Sequence, residues 1–407
     1  MIRKTLGVAA ATGLLAAAFA APVSAQAPED PLGVVTIPPG EPIVVAGWGV
    51  LSGANASLGQ DWINSMMVAI EDRGGEMLGH PLEMITEDGL CTPEGGATAA
   101  QKLAANPTIV GLVGSACSDE TVGGIATLTN AGLTTISPSN TRPALTDPAR
   151  GPEYAGYLRT AHNDLVQGAF VADFAYNTLG LRTAATVHDG SSYAEALQQV
   201  FQDEFTAMGG EIVTAQAVQV GQTDMKPVLT AIANSQPAPE LIYYPIFTAE
   251  GAFMTAQAKE VAGLEDVVLI GSDGMFSIDM VKGAGPAAVG MYLSAPAVTG
   301  DAYQEFLQKY EAVTGVKPPQ AFHAHGYDAI NILLAAIEQV AVEGEDGTLY
   351  VPKGALRDAI YATEGYEGLT GTITCNETGD CGAGAVAAYV ITQEVVDGAW
   401  PPPLYEG

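Results

Sequence analysis

The chain has 407 residues, enough for two or three domains of about 150 residues each. Apolar residues make up 48%, which excludes disorder as the general state. Asp and Glu number 46 against 15 Lys and Arg, a net charge of −31, which disfavours nucleic acid and anionic membrane surfaces as partners.

Arg3 and Lys4 precede a small-residue apolar run over 6–21 that ends at Val23-Ser24-Ala25, a small-residue cleavage site. This predicts a secretory signal peptide over 1–25. The alternative, an uncleaved anchor, is disfavoured because the run is short for a span. The expected product is soluble and exported.

After this segment, strands and helices alternate. A strand is predicted over 43–46, then a helix over 58–71 with Leu58, Trp62, Met66, Ala69 and Ile70 on one face, stopped by Gly74-Gly75. A strand follows over 81–86. The next helix, 92–105, has Thr92 as N-cap and Pro93 in its first turn. The pattern continues with strand 109–113, helix 119–130, strand 133–137, helix 164–176, strand 183–187, helix 193–208 and strand 211–218. Then come helix 225–233, strand 241–244, helix 250–262, strands 267–270 and 290–294, helices 301–314, 323–340 and 353–362, and a hairpin-like tail over 370–400. Continuous Val/Ile/Leu strands between amphipathic helices imply parallel sheets covered on both faces. The number of units exceeds one sheet, so the fold class is α/β with two doubly wound lobes.

Four cysteines allow three pairings. An oxidising compartment favours disulfides, and neither close pair has zinc-ligand spacing. We read the pairs as Cys91–Cys117 and Cys375–Cys381.

In doubly wound folds ligands sit beyond the carboxyl ends of the strands. The loops there, 49–53, 114–118, 137–141, 189–193 and 271–274, are small, hydroxylated and glycine-rich. Ser and Thr at helix N-termini make a carboxylate receptor, and Asp273 could receive an ammonium group. Each could equally be a cap or turn residue taken alone. No G-x-S-x-G, H-E-x-x-H or P-loop is present. His323 and His325 sit two apart on a helix and point to different sides, so no metal is expected there. No cofactor is expected.

Several short motifs, taken in order, resemble the periplasmic substrate-binding proteins of ABC transporters for branched-chain amino acids. They are GWGVLSG over 47–53, EDGLCTP over 87–93, VGSACSDET over 113–121, ISPSNTRPALT over 136–146, YLRT over 157–160, VHDGSSY over 187–193, LIYY over 241–244 and GSDG over 271–274. The resemblance implies two lobes joined by a three-crossover hinge, with lobe 1 over 42–160 plus 297–368 and lobe 2 over 161–296 plus 369–405. The crossovers would fall near Thr160, Ala295–Pro296 and Gly368–Leu369. It also implies a disulfide between the first two cysteines, in agreement with the pairing above.

Carried over to these positions, Ser118 and Thr141 would hold an α-carboxylate, and the Ser139 carbonyl and Asp273 would hold the ammonium. Tyr193 and Phe247 would form aromatic walls, with Ala116 and Cys117 lining the side-chain pocket. Three departures leave the ligand's side chain open. Asp273 stands where the family commonly has Glu, an aromatic common near Leu58 is absent, and Asp119-Glu120 follow Ser118 where the family often has small hydroxyl residues. The resemblance implies a monomeric, periplasmic, non-catalytic receptor that delivers a small amino acid to an inner-membrane ABC permease. An amide- or urea-binding receptor, a sensor and an exported hydrolase are the alternatives.

Overall fold

The computed structural model describes residues 28–382 and 385–406. The predicted signal peptide lies outside them. Two six-stranded sheets dominate. The first runs in the order Glu76–Met77, His80–Asp88, Ile43–Gly49, Ile109–Gly114, Thr135–Ser137, Tyr157–Arg159. Every pair is parallel except the short Glu76–Met77 hairpin. The second runs Ala385–Val390, Tyr292–Ala297, Val268–Gly271, Leu241–Tyr243, Thr183–His188, Glu211–Ala217. It is parallel except for the Ala385–Val390 edge. The fold is therefore the expected pair of doubly wound α/β lobes.

The central strand Ile43–Gly49 is buried at every residue, as its unbroken apolar run requires. Val45 faces Met84 on one side and Gly111 on the other. The helix Pro93–Ala105 begins where its sequence demands: Thr92 Oγ1 accepts from the Gly95 N–H at 3.0 Å, with Pro93 in the first turn. This helix lies against Ser118–Asn130 so closely that a Cβ on Gly123 would meet the Pro93 carbonyl oxygen at 2.0 Å. Glycine there lets the backbones touch, and the contact aims the N-terminus of Ser118–Asn130 across the sheet end.

Cys91–Cys117 and Cys375–Cys381 are both bonded. The first joins the loops that follow strands His80–Asp88 and Ile109–Gly114, which flank the central strand. It thus bridges over the end of Ile43–Gly49.

Three features depart from the sequence reading. Val34–Ile37 is a strand, paired antiparallel with Leu349–Pro352, so residues before 42 belong to the first lobe. The tail is not one hairpin: Gly371–Ile373 pairs with Tyr366–Gly368, whereas Ala385–Val390 joins the second sheet. Residues 369–382 also stay with the first lobe. Asp328 accepts from the N–H groups of Leu369 and Thr370, and Arg159 backbone groups bond to Gly379 and Cys381. The third passage between the sheets therefore follows Cys381, later than Gly368–Leu369. What holds this segment is an ion pair between the fully buried Arg159 and Asp380, at 2.7 Å, inside the loop that Cys375–Cys381 closes.

No helix among the described residues is long and apolar enough to cross a membrane.

Candidate functional site

The carboxyl ends of the two sheets face one another, and a narrow cavity of about 10 Å³ lies between them. The first lobe lines it with Leu58, Ala116, Cys117, Ser118 and Ser139, the second with Tyr193, Phe247, Asp273 and Gly274. Seven of the eight predicted ligand residues thus meet in one place. The eighth, Thr141, is buried beside them, and its carbonyl accepts from the Asp164 N–H at 2.9 Å.

The first-lobe wall is held by its own small hydroxyls. Ser115 Oγ donates to the Cys117 carbonyl at 2.9 Å, Ser137 Oγ to that of Ser115 at 2.8 Å, and Ser139 Oγ to that of Ala116 at 2.9 Å. Two hydroxyls are left over. Ser118 Oγ and Thr141 Oγ1 are buried without a hydrogen-bond partner. Buried hydroxyls normally find one, so these two are conspicuous. Ser118 is also the first residue of helix Ser118–Asn130, at its positive end.

Asp119 and Glu120 turn away from the cavity to other work. Glu120 is buried under the disulfide and accepts from the N–H groups of Cys91, Ala116 and Cys117 at 2.8, 3.0 and 2.9 Å. Burial pushes its carboxyl up to about 7 in spite of these three donors. Asp119 reaches across the cleft, where both its oxygens lie 3.3 Å from the Ser192 N–H.

On the second-lobe wall, Tyr193 projects from the first turn of Ser192–Ala207, whose N-cap Ser191 accepts from the Ala194 N–H. Its ring packs 5.2 Å from that of Phe247. Asp273 Oδ1 accepts from Tyr193 Oη and from Gln167 Nε2, both at 2.7 Å. Gln167 is fixed in turn by His162, at 2.5 Å, and by Ser294 Oγ at 2.9 Å.

Five residues of this cluster escaped the sequence reading: His162, Asp164, Gln167, Tyr243 and Ser272. Asp164 matters most. It is fully buried, and neither carboxyl oxygen has a hydrogen-bond partner. Tyr243 Oη is likewise unpartnered. Burial pushes Asp164 well above the usual carboxylate range, and the charge of Asp273 pushes it further. Burial also raises Asp273, against the opposing effects of His162, Tyr193 and Gln167. Two coupled buried acids are costly to ionise together, and the charge of Arg159 offsets only part of that cost for Asp164. The sequence signal for Asp164 was slight: an acid opening a helix just after the YLRT motif reads as an ordinary first-turn residue.

His323 and His325 part company as expected of their spacing. His323 bonds to Tyr303 Oη and faces Asp61, whereas both ring nitrogens of the buried His325 are unpartnered. Burial drives His325 down to about 3. Among the described residues, no group of three or more His, Cys, Asp or Glu is placed to hold a metal ion.

The periplasmic binding protein family model matches residues 42–398. The chain belongs to that family. A leucine-specific-binding protein of Salmonella typhimurium is 26% identical over 341 residues, which is 83% of this chain and 88% of that protein. A branched-chain amino acid transporter substrate-binding protein from Streptococcus pneumoniae, solved in complex with isoleucine, superposes with a TM-score of 0.77 at 21% identity. The match covers 90% of this chain and 99% of that one. A solute-binding protein of an ABC transporter from R. palustris, solved with benzoate, superposes with a TM-score of 0.74 at 20% identity, covering 86% of this chain and 94% of that one. Membership in this periplasmic binding protein family makes the interlobe cavity the place to look for a solute. Solved proteins of the same fold carry ligands as different as isoleucine and benzoate, so the fold alone does not choose between them.

Proposed function

We propose that this periplasmic binding protein captures a small aliphatic α-amino acid between its lobes and delivers it to an inner-membrane ABC permease. In this reading it is exported to the periplasm by a cleaved signal peptide, acts as a monomer and catalyses nothing. The observation that carries the reading is the mix of groups gathered at one cavity: the unpartnered hydroxyls of Ser118 and Thr141, and two buried acids, Asp273 on the second-lobe wall and Asp164 next to Thr141. A zwitterion supplies what both lack. Its carboxylate accepts from the two hydroxyls at a helix N-terminus. Its ammonium sits with Asp273, the Ser139 carbonyl and Asp164, and relieves the repulsion between the acids. Leu58, Ala116, Cys117 and Phe247 leave an apolar end for the side chain.

The same mix weighs against an aromatic acid, an amide or urea. A benzoate would satisfy the hydroxyls and bring no cation to the two buried acids. The test is thermal unfolding of the full-length protein processed after export, with leucine, isoleucine, valine, alanine, benzoate, acetamide and urea. A ligand at 100 times its Kd adds about 2.7 kcal/mol of stability. A rise in unfolding temperature with an aliphatic amino acid supports the reading. A rise with benzoate, acetamide or urea and none with the amino acids would overturn it.

A further inference from the structure

A second, larger cavity of about 410 Å³ is lined by 296–299 and shares no residue with the front one; Ala295 and Pro296 lie inside strand Tyr292–Ala297, so the crossover expected there comes just after it, at 298–300. Its walls come from both lobes: Phe276, Tyr389 and Trp400 from the second, Tyr303 and Leu307 from the first. We propose that this rear cavity is a second ligand site, for an uncharged and largely apolar ring compound, and that its occupancy favours the closed front cleft.

The size fits, since small-molecule sites occupy about 300–1,000 Å³ and are lined mainly by apolar and aromatic groups. The chemistry of the walls sets the ligand class. The aromatic polar atoms are already used within the protein: Tyr389 Oη donates to the Pro296 carbonyl at 2.8 Å, Trp400 Nε1 to that of Pro318 at 3.0 Å, and Tyr303 Oη pairs with His323 Nε2 at 2.7 Å. Ring faces and edges remain to meet a ligand, with the buried, unpartnered Gln320 Oε1 as one acceptor among them. Phe276 packs 4.8 Å from Tyr389 and 5.1 Å from Trp400, so the second-lobe wall is a continuous aromatic surface. Besides His323, the charged groups of the lining are Glu311 and Lys317, one of each sign and both exposed. His323 itself is engaged by Asp61 and Tyr303. Neither an anion nor a cation gains a buried counter-charge here. Leu404, 40% exposed, leaves apolar surface in the same lining.

Two rigid pieces join this cavity to the front one. The short turn Asp273–Met275 puts Asp273 in the front cavity, while Phe276, whose N–H bonds the Asp273 carbonyl at 3.0 Å, lines the rear. Helix Ala56–Asp72 places Leu58 in the front cavity and holds the rear wall through Asp61, which accepts from the Gln320 and Phe322 N–H groups at 3.1 and 2.8 Å. Bending at the crossovers moves the two sides in opposite senses: closing the front opens the rear. The structure has a narrow front and an open rear, so a molecule seated behind the hinge resists reopening of the front.

The probe is N-phenyl-1-naphthylamine, a neutral fluorescent aromatic. With the full-length exported protein, saturable enhancement at micromolar probe is expected, at least tenfold weaker in Leu307→Trp, which fills the cavity, and in Trp400→Ala, which removes a wall. Unfolding temperatures without probe show whether each variant is folded, and two variants guard against the failure of one. Without any amino acid, the probe should also lower the radius of gyration measured by small-angle scattering. Non-saturable binding, or binding unchanged in the folded variants, overturns the site. Saturable binding with an unchanged or larger radius overturns the coupling.

Discussion

Asp273 keeps its geometry through Oδ1, which accepts from Gln167 and Tyr193. An amide oxygen can accept the same two bonds, so Asp273→Asn removes charge and little else. We expect the unliganded protein to unfold at nearly the parent temperature. Amino-acid affinity should fall by about 30- to several thousand-fold, the effect of about 2–5 kcal/mol for truncating a buried ion pair. Calorimetry on both proteins decides it: parent-like affinity in Asp273→Asn would mean that the pocket does not recognise an ammonium. Glu120 offers a different test, of stability. Its carboxyl lies at about 7 when folded, against a reference of 4.5. Between those values the folded chain keeps a proton that the unfolded chain releases. The contribution is therefore full below about pH 4.5 and is lost as pH rises through 7, on the order of 3 kcal/mol. Glu120→Gln keeps an acceptor and cannot titrate. Urea midpoints at pH 5 and pH 8 should fall more for the parent than for the variant; equal falls would remove Glu120 as the cause. None of this was legible in the residue string, where Glu120 stood only as a departure beside Ser118. Its partners come from two loops, 89–91 and 114–117, that only the sheet brings together.

The helices carry the contacts between lobes at their ends. Asp119, in the first turn of Ser118–Asn130, meets the N-terminus of Ser192–Ala207 through the Ser192 N–H. A carboxylate at a helix N-terminus contributes about 0.3–1 kcal/mol when exposed. That stabilisation exists only while the cleft is shut, so Asp119→Ala should weaken solute binding by about two- to fivefold through the population of closed protein. The unfolding temperature without solute should hardly move. A change in stability with unchanged affinity would make Asp119 a cap of its own helix and no latch. Helix starts such as Thr92-Pro93 were readable because a cap is settled within four residues of chain. The strand Val34–Ile37 was not, because its reason for existing is Leu349–Pro352, more than three hundred residues away. The same holds for Asp380, which looks like a turn residue and is the partner of a buried arginine.

At the scale of the molecule, two sheets joined by crossovers near 160, at 298–300 and after Cys381 make a hinge of few strands. Small-angle scattering should show a monomer whose radius of gyration falls when an aliphatic amino acid saturates it. A constant radius at saturation would argue against closure. The lobe pattern was present in the sequence because continuous apolar strands and amphipathic helices are local periodicities, set by the need to bury both faces of a parallel sheet. Ser118, Ser139, Tyr193 and Asp273 were legible as candidates too, since in such sheets the loops to inspect follow the strands, whereas Phe247 entered only through the family resemblance. What tertiary structure alone decided is the company each residue keeps. Asp164 became a second buried acid only because its helix starts where the two lobes meet. Residues 369–382 stayed with the first lobe because Arg159 and Asp328 hold them there. The rear cavity exists because segments from 276, 303, 389 and 400 converge behind the hinge. Burial and charge coupling depend on neighbours distant along the chain, and a one-dimensional pattern does not encode those distances.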